Sequence, residues 1–159
     1  MMMRYPDCPA CRGAEGDPEL HRTEVWSDDL WRLTTSLSAE VVGFSYLEPR
    51  RHIVAITALD GEEARTLGTV IGRCSAALKD ATGADHVYVY SFGSGIPHLH
   101  LMLAPHRQGD ALSDWMLKGE AIETPLPNGA VLISSADYPP LPEDDLRATA
   151  DLIRRTLAG

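Results

Sequence analysis

In GIPHLHLMLAPH, residues 95–106, His98 and His100 stand two apart and Met102 takes the next position of the same parity. Side chains alternate across a strand, so Leu99, Leu101 and Leu103 would enter a core while His98, His100 and Met102 share the opposite face. Imidazole is a nucleophile near neutral pH and a metal ligand. That face is therefore a candidate for covalent catalysis or metal binding, and its plainest alternative is a wet polar surface. A second chemical element is Cys8-Pro9-Ala10-Cys11. Its spacing lets two thiolates hold one zinc ion, although a structural zinc takes four ligands. A redox pair and two incidental loop cysteines are the alternatives, and RGAEGDPE after Cys11 is poor material for the helix that a redox pair expects. Upstream of the histidines, Gly93-Ser94-Gly95 offers backbone N–H groups to an anion. Pro49-Arg50-Arg51-His52 adds a third histidine beside two arginines, and His106-Arg107 a further basic pair.

These residues need elements to position them. TEVWSDDLWRLTTS, VVGFSYLEP and HIVAIT are short β-rich segments bounded by polar or turn residues and read as strands. From Asp60 to about Thr82 the period changes: Leu67, Ile71, Cys74, Leu78 and Ala81 recur at spacings of three and four, behind an Asp60 N-cap with Glu63 at the capping-box position. This predicts an amphipathic helix whose stripe takes Cys74 as a buried small hydrophobe. HVYVYSF and HLHLML predict a hairpin, AVLISS a last strand, and PEDDLRATADLIRRTLAG a terminal helix with Leu146, Ala150, Ile153 and Leu157 as its apolar stripe. The stretch LSDWMLKGEAIETPLPNG reads as a lid, a short helix or an excursion, and its Trp115 as a packing residue or a cover for a base. The order of elements predicts an α+β fold, an antiparallel sheet covered on one face by helices, with the histidines on the other.

With 159 residues, 44% of them hydrophobic and 23% charged, the chain fits one globular domain with a real core. Its net charge of −9 argues against nucleic acid or an anionic membrane as partner. No apolar run is long enough to span a membrane, and MMMRYPDCPACRG lacks the apolar region of a signal peptide, so a cytoplasmic protein is expected.

The order GFSYLEPRRHI, DGEEARTLGTVIGRCSAAL, GSGIPHLHLML, behind a Cys-x-x-Cys, resembles the histidine triad (HIT) proteins of the zinc-bearing microbial type, relatives of the galactose-1-phosphate uridylyltransferases. The resemblance runs from about Asp7 to His106. It implies a HIT-like antiparallel sheet with a long amphipathic helix and a C-terminal helix, in a single domain with a zinc-binding segment at 5–22, a core at 23–106 and a C-terminal extension at 107–159. It further implies a nucleotide hydrolase or nucleotidyltransferase acting at the α-phosphorus of nucleoside phosphoramidates, dinucleoside polyphosphates or nucleotide sugars. His100 matches the nucleophile that forms a nucleotidyl-histidine intermediate, His98 the first triad position and Met102 the third. Methionine donates neither a hydrogen bond nor a proton, so one phosphate contact or general acid of the family pattern is missing. His106 falls where the family often has Arg or His after a proline, Ser94 and Gly95 where it has a polar phosphate-binding pair, and Ser36 where many members have an aspartate on the ribose hydroxyls. The same resemblance joins Cys8 and Cys11 to His52 and His98 as four ligands of a structural zinc, with His21 the spare candidate. It also implies a homodimer. Two other functions remain open at this level: a catalytically weak HIT-like nucleotide-binding module, because of Met102, and a zinc-stabilised interaction protein whose histidines serve only the metal.

Overall fold

The computed structural model describes residues 5–91, 95–110 and 120–159. The first hairpin is β1 (Arg22–Ser27) and β2 (Trp31–Ser36), antiparallel and turned by Asp28, whose carboxylate accepts the N–H groups of Leu30 and Trp31 at 2.8 and 2.7 Å. That side-chain bond closes the turn without a glycine. Next come β3 (Ser45–Pro49), the helix α1 (Gly61–Thr82), β4 (His86–Tyr90) and β5 (Leu101–His106). The five strands form one sheet in the order β1-β2-β3-β5-β4, antiparallel throughout. A separate two-stranded ribbon, β6 (Ala121–Pro125) and β7 (Val131–Ser135), precedes α2 (Glu143–Ala158).

Both helices pack on one face of the sheet, α1 against β4 and β5 and α2 against β1 and α1. Their buried stripes, Val70, Cys74, Ala77 and Leu78 from α1 and Ala150, Ile153 and Leu157 from α2, meet Val25, Trp31, Leu33, Leu47, Leu101 and Leu103 of the sheet in one core. Leu33, Leu47, Leu78 and Leu103 are completely buried, and each such side chain contributes about 2–3 kcal/mol relative to an exposed one. Helix α1 stops at Gly83, whose left-handed φ of 68° lets its N–H reach the Lys79 carbonyl. Gly43, at φ 79°, is held to glycine by space as well, because a Cβ there would come within 2.7 Å of the Thr82 methyl. No helix among the described residues is long and apolar enough to cross a membrane.

Three expectations are corrected. HIVAIT is no strand: Ile53 enters the core and its carbonyl accepts the Leu99 N–H, but Val54 and Ile56 are exposed and a 3-10 turn follows at Ile56–Ala58. The hairpin strand expected to begin at His98 begins at Leu101, because the Leu99 N–H is already committed to Ile53; the alternation of side chains nonetheless runs on from Leu99 to Leu103. The capping box does not form. Asp60 makes no capping bond, and its carboxylate and that of Glu63 both receive the Arg51 guanidinium instead.

Candidate metal centre and adjacent cavity

On the face of the sheet away from the helices, every β2 residue is buried, including Arg32, Thr34 and Ser36. Three groups of side chains account for that face. The first is a cluster of Cys8, Cys11, His52 and His98, whose ligand atoms all lie within 4.8 Å of one another. Cys8 Sγ and Cys11 Sγ each lie 3.5 Å from His98 Nδ1, and Cys11 Sγ lies 3.1 Å from His52 Nδ1. A tetrahedron with metal–ligand bonds of about 2.0–2.3 Å has edges of about 3.5 Å, so donor set and spacing are those of a structural zinc site. His98 is 1% exposed, and its other nitrogen, Nε2, donates to the Pro49 carbonyl at 2.7 Å. That bond leaves Nδ1 as the donor atom toward the cluster and fixes the ring's orientation. Burial lowers the basicity of both His98 and His52, which favours the neutral ligand form, and burial pushes the Cys11 thiol up to about 11.

The second group is a buried ion network. Arg22 spans Asp17 and Glu48, with Nε 2.9 Å from Asp17 and the two terminal nitrogens 2.9 and 2.8 Å from the Glu48 carboxylate. Arg32 reaches Asp17 at 2.6 Å, Glu48 at 3.0 Å and Glu24 at 2.7 Å. Two guanidiniums thus face two fully buried carboxylates and one half-exposed one, each charge matched by directed hydrogen bonds. Asp17 belongs to the same N-terminal segment as the two cysteines, so the network fastens that segment to β1, β2 and β3 independently of the metal cluster.

The third is a cavity of about 540 Å³ beside these groups. His100 and Met102 line it together with Tyr46 of β3, Tyr90 of β4 and Phe44; Ser36, Gly95 and His98 border it too, and Leu126, Val131 and Leu132 of the ribbon close its far side. The ribbon is tied down by the Ser135 N–H, which donates to the Glu40 carboxylate at 3.0 Å. His100 Nδ1 lies 2.7 Å from the His98 carbonyl oxygen. A carbonyl only accepts, so Nδ1 carries the proton and, in the neutral ring, the lone pair sits on Nε2. Among the described lining residues the one cation, Arg22, is already spent on Asp17 and Glu48, while Glu40 and Glu123 add negative charge to the wall.

No protein-family model and no curated protein matches the chain. Solved structures do. A hypothetical histidine triad nucleotide-binding protein from Sulfolobus tokodaii superposes with a TM-score of 0.66 at 18% identity over 95% of this chain and 92% of the other. The chain has the histidine-triad fold. A zinc-bound histidine triad family protein from Mycobacterium smegmatis matches with a TM-score of 0.64 at 18% identity, covering 95% of this chain and 93% of that one. A histidine triad protein from Bradyrhizobium japonicum matches with 0.62 at 23% identity, covering 88% and 93%.

Within this histidine-triad fold the expected residues separate into two sets. Cys8, Cys11, His52 and His98 converge, and His100, Met102, Gly95 and Ser36 share the cavity. His106 does not line it: paired with His86 at the far end of β5, it leans on Tyr88 with ring centroids 5.6 Å apart. His21 is not part of the cluster; it is exposed, in a left-handed turn at φ 49°. Ser94 and Trp115 lie outside the described residues. Arg51 is drawn to the start of α1 by Asp60 and Glu63, and Arg50 reaches the Asp28 carbonyl, so the basic cluster of PRRH is no anion site of the cavity. Sequence reasoning missed the ion network and the aromatic wall. Arg22, Arg32, Tyr46 and Glu48 sit at positions of alternate parity to Leu33 and Leu47, a period-two signal that was present but did not say which strands would be neighbours.

Proposed function

We propose that this chain binds a nucleotide, or a similar phosphate ester, in the cavity and cleaves it at the α-phosphorus through His100, with a structural zinc on Cys8, Cys11, His52 and His98. The observation that carries the reading is the bond from His100 Nδ1 to the His98 carbonyl, which leaves Nε2 as the nucleophile on the cavity wall. Nε2 attacks phosphorus, the bond from phosphorus to the leaving group breaks, and the positive charge of the substituted ring is stabilised by the Nδ1–H donated to the carbonyl. A phosphate leaves as its anion; an amine takes its proton from water. Water then attacks phosphorus, the bond to Nε2 breaks, a proton passes to solvent and nucleoside monophosphate is released. When bound, zinc supplies a cross-link and no chemistry at phosphorus, since four protein ligands leave no open coordination position. The apolar and aromatic wall of Phe44, Tyr46, Val131 and Leu132 suits a base, and the N–H of Gly95 supports a phosphate without a cationic side chain.

The zinc-loaded protein, offered adenosine phosphoramidate, diadenosine polyphosphates and nucleotide sugars, is expected to release nucleoside monophosphate and to carry a nucleotidyl adduct on His100 detectable by mass spectrometry. Turnover that persists in His100→Ala would sink the reading. Met102 favours a second one, a binding module that holds nucleotide without turning it over; it predicts nucleotide affinity in calorimetry with no product. Strand β4, at an edge of the sheet with Val89 exposed, is the surface we assign to pairing with a second copy. A Val89→Lys variant that sediments like the unmodified protein would remove that assignment.

A further inference from the structure

Met102 poses a specific problem for the reading above: a nucleophile is present, but the strand position that follows it brings no hydrogen-bond donor to the transferred group. The strands on either side of β5 supply one. Met102 is in direct register with Tyr46 on β3 and with Tyr90 on β4, so the three side chains project from the same face of the sheet. Tyr46 and Tyr90 both line the cavity with His100. Tyr46 stands beside the nucleophile: its ring meets that of His100 edge-on with centroids 6.4 Å apart. Phe44 also packs against the Tyr46 ring, with centroids 5.4 Å apart and the rings nearly perpendicular, which limits its rotation. Among the described residues, nothing accepts a hydrogen bond from the Tyr46 hydroxyl.

Resting on the assignment of His100 as nucleophile, we propose that Tyr46 is a catalytic residue that donates its phenolic hydrogen bond to a non-bridging oxygen of the phosphoryl group, taking the part for which Met102 has no donor. A donor aimed at an oxygen that gains negative charge as the Nε2–phosphorus bond forms stabilises the transition state more than the bound substrate. Burial pushes the phenol up from its ordinary range, which keeps the hydroxyl protonated throughout the pH range in which a histidine nucleophile works. The same burial makes it reluctant to give the proton away. Tyr46 therefore acts as a hydrogen-bond donor and not as the acid that protonates the leaving group, and no proton changes hands on it.

The test is Tyr46→Phe, which removes one oxygen and keeps the ring packed on His100 and Phe44. With adenosine phosphoramidate as substrate, kcat is expected to fall about 10²-fold while KM changes little. The rate of adduct formation on His100, followed by rapid quench and mass spectrometry, should fall with it. In a Tyr46→Phe/Met102→His double variant, an imidazole at the adjacent position should recover a large part of the lost rate. Equal adduct formation in the unmodified protein and Tyr46→Phe overturns the role of Tyr46 and leaves that of His100 standing. A loss of rate that Met102→His does not recover, accompanied by a lower unfolding temperature, assigns Tyr46 to packing and overturns the proposal as well. If the folded, zinc-loaded protein forms no adduct at all, the nucleophile assignment fails, and the Tyr46 proposal fails with it.

Discussion

His98 and His100 are two residues apart on one face of one segment, yet they live in different chemical environments. The His98 ring is wholly buried: one nitrogen is bound to the Pro49 carbonyl and the other faces two thiols as a metal ligand, so neither is left for a substrate. His100 is only partly buried, uses a single nitrogen on the protein backbone and turns the other side of its ring to a cavity. The residue type is the same, and the covering differs. Cys8 and Cys11, brought over the sheet by the N-terminal segment, close the first site; the ribbon of β6 and β7 stands off far enough to leave the second open. A histidine closed on both nitrogens suits structure, and one closed on a single nitrogen suits chemistry. Their backbones are coupled, because the carbonyl of the structural histidine fixes the tautomer of the other.

That contrast can be broken in several ways. The largest effect belongs to the open site: His100→Ala is expected to lower nucleoside monophosphate release on the order of 10⁴-fold or more while leaving the unfolding temperature and zinc content nearly unchanged. A large loss of zinc in that variant would show that the two histidines are not separable. Next is the closed site. Cys11→Ser should cost about 4 kcal/mol of stability, seen as a fall of about 10 °C in Tm and as zinc lost to a chelator, because removing one ligand undoes the cross-link between residues 8–11 and the sheet.

Third comes the ion network that anchors the same segment without metal. Glu48→Gln leaves Arg22 and Arg32 with one fully buried carboxylate in place of two and is expected to cost about 3 kcal/mol, read from urea unfolding. Full stability in that variant would mean that the metal cluster alone holds the segment. A smaller effect is pH-dependent. The hydrogen bonds from Arg51 hold the Glu63 carboxyl below its ordinary value, so its contribution is complete above about pH 4.3 and is lost as pH falls through the lower folded value. Glu63→Gln should flatten the acid limb of a plot of unfolding free energy against pH by less than about 1 kcal/mol. The smallest effect is expected for His106→Ala: less than about twofold in turnover, since that ring sits at the far end of β5 against Tyr88 and away from the cavity.

Much of this was legible locally. The leucines at 99, 101 and 103 announced that His98, His100 and Met102 would share the other face, and they do, although the hydrogen-bonded strand begins only at Leu101. The period of three and four placed both helices and all four buried residues of the α2 stripe. HIVAIT misled because its β-branched residues look like a strand, while a single backbone bond at Ile53 is all the pairing the fold gives it. The ribbon strand β6 carried no usable signal, since all five of its residues are exposed and nothing in its pattern marks a buried face.

Residue order along the chain by itself determined the faces, the helices and the pairing of Cys8 with Cys11, because these depend on neighbours within a few positions. Only the tertiary structure decided that His52 and not His21 completes the cluster, that Arg22 and Arg32 share Asp17 and Glu48, and that Tyr46 stands beside Met102 and His100. These contacts join residues from 5 to 90 positions apart. They follow from the strand order β1-β2-β3-β5-β4 and its register, which the packing of the leucine face against α1 and α2 selects; a slip of one residue would turn strand residues such as Arg32, Tyr46 and Glu48 into the core.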